Sequence, residues 1–279
     1  MPFTVFAGRV ADRNPKGMRG ALVLASAIAD RFGKAVRTVG KAEPVVSGGW
    51  ATQLELAREG LHRLASDLDE RLASGELALT VMGRCAAALA TLPVVARRHP
   101  EAAVVYFDAH GDCNAPADKD FAEDAYLGGM VLSGAAGEWE TGLGVELDLK
   151  QVILVGSRDL DPPEREKIRA GRICLVEPGA DLTGRLLAAI GGRPVYIHLD
   201  CDVLDAGLLP TEYQVAGGLS FAELHGVSTA LSKLPLFGLE ISEFEAARMA
   251  SPAGSPDRLL DVIAPLVDAI CGTAAGETR

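Results

Sequence analysis

Apolar runs and helix-spaced apolar stripes alternate along the whole chain. Short runs rich in β-branched and aliphatic residues predict strands at Phe3–Val10, Val36–Val39, Leu77–Met82, Ala103–Asp108, Gln151–Gly156, Ile173–Val176, Val195–Asp200 and Leu236–Ile241. Between most of them apolar residues recur every three or four positions. That spacing predicts helices over Met18–Phe32, Ala51–Leu72, Ala86–Arg98, Pro163–Ala170 and Phe221–Leu234, with a last one at Arg258–Ile270. Strands such as AAVVYF and VILVG are apolar on both faces, as they must be when helices cover both sides of the sheet. The pattern therefore predicts an α/β fold: a three-layer α/β/α arrangement around a mainly parallel sheet of about eight strands. No repeat, low-complexity segment or linker divides the chain, so residues 1–279 are expected to form a single domain.

Composition narrows the partners. Of the 279 residues, 48% are apolar, enough for a large core, yet no run approaches the roughly 18–20 apolar residues of a membrane span. The start, MPFTVFAGRV, lacks the basic and apolar regions of a signal peptide, which predicts a cytoplasmic protein with no membrane partner. A net charge of −11 with no basic cluster argues against nucleic acid as a partner and suits a cationic ligand or metal ion. The five cysteines lie too far apart to suggest a disulfide framework. Cys174 and Cys271 are expected to be small buried hydrophobes, and Cys113 and Cys201 packing residues that point away from the acids beside them.

Three acidic segments sit at the ends of predicted strands. In Asp108-Ala109-His110-Gly111-Asp112 the polar residues are two apart, so an extended backbone projects all three to one side. His198, Asp200 and Asp202 have the same spacing, with Asp205 placed to cap a turn. In the third segment Glu240, Ser242 and Phe244 alternate with Ile241, Glu243 and Glu245. Carboxylates converging at the end of an apolar strand repel one another unless a cation neutralises them. Four aspartates with a single imidazole form a hard-to-borderline ligand set, suited to manganese or magnesium, and bridging carboxylates can hold two such ions.

In these motifs the chain resembles the arginase/agmatinase (ureohydrolase) superfamily. DAHGD is similar to its D-A-H-x-D signature and HLDCDVLD to its strand-borne D-x-D signature. Met82-Gly83-Arg84-Cys85 stands where the family has Gly-Gly-Asp-His, GSRDLDPPE resembles its G-x-R-D-x-D-x-x-E segment, and GLEISEFEA resembles its acid-bearing penultimate strand. The resemblance implies an arginase-like fold, often homo-oligomeric, that hydrolyses a small guanidino amino acid at two divalent metal ions, most commonly Mn2+. It implies that Asp108 and Asp200 bridge the metals, that His110 and Asp202 complete one shell, and that Asp112 belongs to the other, with Cys85 in the place of a histidine ligand. Asp112 would also shuttle a proton, and Glu243 would hold the guanidinium. Asn114, Asp161 and Glu164 would read the amino-acid end of the substrate, which favours an arginine-like compound over agmatine.

Two departures bear on the reaction. Arg84 and Cys85 replace the family's Asp-His pair, and Gly128, in Leu127-Gly128-Gly129-Met130, stands where the family has a loop histidine. Cysteine and a similar Leu-Gly-Gly-Met segment mark a branch, associated with D-cycloserine biosynthesis, that acts on Nω-hydroxy-L-arginine. Similarity to that branch implies hydrolysis to hydroxyurea and L-ornithine. L-Arginine or another guanidino acid as substrate, a catalytically silent regulatory homologue, and an amide-deacetylating relative stay open alongside it.

Overall fold

The computed structural model describes residues 2–118, 125–246 and 255–272. Strands β1 (Phe3–Phe6), β2 (Val36–Val39), β3 (Ala78–Met82), β4 (Ala103–Phe107), β5 (Val152–Val155), β6 (Cys174–Val176), β7 (Val195–Asp200) and β8 (Leu236–Ser242) form one sheet in the order β2-β1-β3-β8-β7-β4-β5-β6. Every pairing within it is parallel. Alternate residues of each strand go to opposite cores. On one side Val5, Val81, Phe107, Val155, Ile197 and Ile241 pack under α1 (Lys16–Phe32), α6 (Leu182–Ile190), α7 (Phe221–Leu231) and α8 (Asp257–Cys271). On the other, Phe6, Met82, Tyr106, Leu154 and Tyr196 pack under α2 (Trp50–Ala73), α3 (Ala88–Arg98) and α4 (Val131–Ala135). A further helix, α5 (Pro162–Arg169), follows β5. The three-layer arrangement read from the sequence is the one observed.

The differences have local causes. The first strand ends at Phe6 rather than Val10, and the stretch beginning at Ala86 opens with a 3-10 turn, Cys85–Ala87, before α3. Helices α4 and α6 were not anticipated: the former is five residues long and the latter nine, with Gly184 inside it, too short or interrupted for the periodicity to stand out. Cys174 is exposed and Cys271 half-buried, against the expectation of two buried thiols. Cys174 begins β6, the last strand of the sheet, where burial is incomplete.

One ion-pair cluster clamps α2 to α3. Asp69 accepts from Arg98 Nε at 2.8 Å and Nη2 at 2.6 Å, and from Arg97 Nη2 at 2.9 Å. The hydrogen bonds from Arg98 lead in lowering the Asp69 pKa from 3.8 to about 2. A carboxyl depressed on folding stabilises the protein above its unfolded pKa, and this contribution is lost as the pH falls through the folded value. Because the group is open to solvent, the contribution is under about 1 kcal/mol. Asp69→Asn should therefore lower the urea midpoint slightly at pH 7 and leave it unchanged near pH 2.

Candidate active site at the strand ends

Residues that follow five neighbouring strands converge on one pocket of about 240 Å³: Cys85 after β3, Glu243 after β8, Asp200 and Asp202 at β7, His110 and Asp112 after β4, and Asp159 and Asp161 after β5. Crevices at the carboxyl ends of parallel strands are where open α/β sheets hold ligands. Asn114, Tyr126, Gly129, Glu164 and Tyr213 complete the wall. A larger groove of about 870 Å³ lies between β2 and α2, but its charges are already paired: Arg37 with Asp67, Arg58 with Glu55, and Arg63 with Glu59. The smaller pocket carries the chemistry.

The two aspartate motifs are built alike. Asp108 Oδ1 accepts the backbone N–H of His110 at 2.7 Å, and Asp200 Oδ1 accepts that of Asp202 at 2.8 Å, each closing a turn two residues on. Asp202 Oδ1 accepts from the N–H of Ala109 at 3.0 Å and ties the motifs together. Strand alternation accounts for His198 and Asp200, but not for all of the first motif. β4 ends at Phe107 and Asp112 has φ +50°, so a left-handed turn aims it rather than an extended backbone. Tyr106 then donates its hydroxyl to Asp112 Oδ2 at 2.7 Å.

The donor set fits a divalent metal. Ligand atoms of Asp108, His110 and Asp202 lie within 4.8 Å of one another, as do those of Cys85, Asp200 and Glu243, and those of Asp108, His198 and Asp200. Asp108 Oδ2 is buried without a hydrogen-bond partner. Burial first, and then Asp112 and Asp202, push the Asp108 carboxyl well above the usual range; burial, Asp202 and Asp108 do the same to Asp200. Such crowding is costly unless a cation balances it. His110 Nδ1 lies 3.1 Å from Asp108 and 3.2 Å from Asp202. His198 is instead part of the scaffold: Nδ1 is 2.6 Å from Glu240, Nε2 is 3.2 Å from the hydroxyl of Ser242, and Tyr106 stacks on the ring at 4.1 Å. Burial and the neighbouring acids raise the Cys85 thiol pKa well above its usual value.

Glu243 lines the pocket, but both of its oxygens are engaged by the protein. Oε1 accepts from the backbone N–H of Cys85 at 2.9 Å and Oε2 from Arg84 Nη1 at 2.7 Å. The strand alternation stops at Ser242, since Glu243 has φ +61°; this turn brings Glu243 and Glu245 together around Arg84. Elsewhere in the wall Asn114 Nδ2 donates to Asp161 Oδ2 at 2.8 Å, leaving Asn114 Oδ1 without a partner. Glu164 accepts from the N–H groups of Cys113 at 3.0 Å and Asp161 at 2.9 Å, so it braces the pair; burial pushes its carboxyl up to about 7. Cys113 and Cys201 are buried in the two cores, as expected of packing residues.

Gly128 has no room for a side chain. A Cβ there would meet Tyr126 Cε1 at 2.4 Å and Cys85 Sγ at 3.0 Å. The Tyr126 ring fills the space over Gly128. Gly128→His is therefore expected to displace Tyr126, lower thermal stability and reduce turnover by more than tenfold, as steady-state kinetics and melting curves would show. Tyr126 itself carries no motif signal, whereas Arg158 is the arginine of the GSRDLDPPE segment, although its role was not read from it. The Arg158 guanidinium donates to the carbonyls of Gly156, Asp202, Val203, Leu204, Val215 and Ala216, fixing the loop behind Asp202. Tyr106 was within reach of the pattern, two residues before Asp108 in the same apolar run.

Solved structures of other proteins share this fold. Arginase from Bacillus subtilis superposes with a TM-score of 0.80 at 20% identity, covering 96% of this chain and 98% of that one. Proclavaminate amidino hydrolase from Streptomyces clavuligerus gives 0.71 at 20% identity, covering 96% and 91%. The sequence model of the Arginase family matches residues 9–252. The N(omega)-hydroxy-L-arginine amidinohydrolase of Streptomyces lavendulae is 40% identical over 266 residues, 95% of this chain and 96% of that protein. An arginase from Bacillus caldovelox is 27% identical over 67% of this chain and 68% of its own length. The chain belongs to the arginase family. It is a hydrolase of the class that acts on amidino groups.

Proposed function

We propose that the protein hydrolyses Nω-hydroxy-L-arginine to hydroxyurea and L-ornithine, with two divalent ions, Mn2+ in our assignment, held by Asp108, His110, Asp112, Asp200, Asp202 and Cys85. The observation that carries this reading is the presence of two chemistries in the wall of one pocket: a carboxylate, imidazole and thiol cluster, and the hydrogen-bonded Asn114–Asp161 pair. The 40% identity to the Streptomyces lavendulae protein supports the choice of substrate. When bound, the ions supply an activated water at neutral pH and polarise the amidino carbon.

The remaining steps belong to side chains. Asn114 Oδ1 accepts from the substrate's α-amino group, and Asn114 with Asp161 holds that end in register. Glu243, fixed by Arg84 and the N–H of Cys85, faces the amidino group and opposes its developing positive charge. Asp112, oriented by the hydroxyl of Tyr106, takes the proton released by the attacking water and passes it to the departing ornithine nitrogen. An N-hydroxyguanidine is less basic than a guanidine. It asks less of Glu243, whose oxygens already serve Arg84 and Cys85.

The test is product analysis after metal exchange. Chelated protein should be inactive, and manganese should restore release of hydroxyurea and ornithine in equal amounts. Urea from L-arginine as the main product would instead assign the chain to plain arginase chemistry.

A further inference from the structure

Tyr126 combines three observations that the mechanism above does not use. Its Oη is buried and finds no hydrogen-bond partner among the described residues. Its side chain lines the pocket together with Cys85, Asp200 and Glu243. Its ring occupies the space over Gly128, against the same point that Cys85 Sγ approaches. The ring is held in place, with Arg13 stacked over it at 4.6 Å and Tyr213 beside it at 6.0 Å, while Arg13 Nη1 donates to the Tyr213 hydroxyl at 3.0 Å.

A buried hydroxyl with no partner costs about 1–3 kcal/mol. Phenylalanine would fill the same volume without that cost, so nothing in the packing accounts for the oxygen. A ligand that brings its own hydrogen-bonding group to this part of the pocket would account for it.

We infer that Tyr126 is the specificity-determining residue of this site, its hydroxyl hydrogen-bonding the terminal N-hydroxyl of the bound substrate. The inference rests on the proposed reaction and deepens it by assigning the atom that separates the hydroxylated substrate from arginine. Bound arginine leaves Oη unpaired and keeps the desolvation cost. Bound Nω-hydroxy-L-arginine removes that cost and adds a hydrogen bond. A site built to bond a substrate hydroxyl rejects the analogue that lacks it far more strongly than an apolar pocket distinguishes one methylene. The loss of a side chain at residue 128 and the presence of tyrosine at residue 126 are then one adaptation: the glycine makes room and the tyrosine supplies the donor.

Tyr126→Phe deletes the oxygen and keeps the ring, so it should fold. The manganese-reconstituted wild type and variant would be compared by kcat/KM for Nω-hydroxy-L-arginine and L-arginine. Binding of both compounds to the metal-free proteins would be measured by calorimetry. The ratio of kcat/KM for the hydroxylated over the plain substrate should fall roughly 10- to 100-fold in the variant. The calorimetric preference should fall in the same direction, and the melting temperature should equal or exceed that of the wild type. An unchanged ratio, or parallel losses on both substrates, would overturn the assignment of Tyr126 while leaving the proposed reaction intact. A wild type that shows no preference for the hydroxylated substrate would overturn the reaction itself and the inference with it.

Discussion

Asp200→Asn is expected to abolish metal binding and turnover and, at the same time, to raise the melting temperature of the metal-free protein. Asp200 is fully buried at the end of β7, and burial first, then Asp202, Asp108 and Glu243, push its carboxyl well above the usual range. Asparagine keeps the Oδ1 that accepts the N–H of Asp202, so the turn survives. What is lost is an anionic ligand in the metal-bound protein and, in the metal-free protein, a carboxyl that must take up a proton to be buried there. The effect on metal affinity should exceed the roughly 10- to 100-fold cost of losing an outer-shell partner. Because asparagine needs no proton uptake on folding at neutral pH, the metal-free variant should be more stable than the wild type, by about 1.4 kcal/mol for each unit that the carboxyl pKa is raised on folding. Metal content per chain and melting curves with and without manganese measure both. A variant less stable than wild type in the metal-free state would show that Asp200 is a structural acid instead.

Arg84→Met should have the opposite signature: a large loss of stability whether or not metal is present. Arg84 has no solvent exposure and lies 2.7 Å from Glu243, 2.8 Å from Glu212, 3.1 Å from Glu245 and 3.2 Å from Asp12. Even with that guanidinium in place, burial pushes Asp12 up to about 6. Removing the one cation at the centre of four acids leaves uncompensated buried charge, at a cost of about 3–5 kcal/mol. For a chain of this size that corresponds to a melting temperature roughly 10 °C lower. Adding Asp12→Asn to the variant should recover part of the loss, because Asp12 is buried and pairs with no other cation among the described residues. If Arg84→Met melts with the wild type, Arg84 does not compensate the four acids as described.

The sheet, its layers and the strand ends were legible in the sequence because each depends on local signals. Continuous apolar runs mark strands covered on both faces, and an acid just after such a run is rarely accidental. Asp108, His110, Asp200 and Asp202 followed from that logic, and the structure brings them together. Asp112 and Glu243 were found for an incomplete reason. Both are non-glycine residues at positive φ, and a left-handed turn rather than strand periodicity aims them, which the spacing of residues does not reveal. The role of Arg84 was not legible at all. Its partners come from the loop after β1, the segment around Glu212 and the end of β8, and only the sheet order places those beside β3. Tyr126 was hidden for the same reason: its importance lies in what Gly128 omits and in a hydroxyl left without a partner.

The most direct test of the account is a competition between Nω-hydroxy-L-arginine and L-arginine for the manganese-reconstituted protein, with hydroxyurea and urea quantified from one reaction. The account predicts hydroxyurea as the dominant product, with a kcat/KM preference of roughly 100-fold or more. Equal yields, or urea in excess, would contradict it and leave a family member whose cysteine and missing loop histidine do not set its substrate.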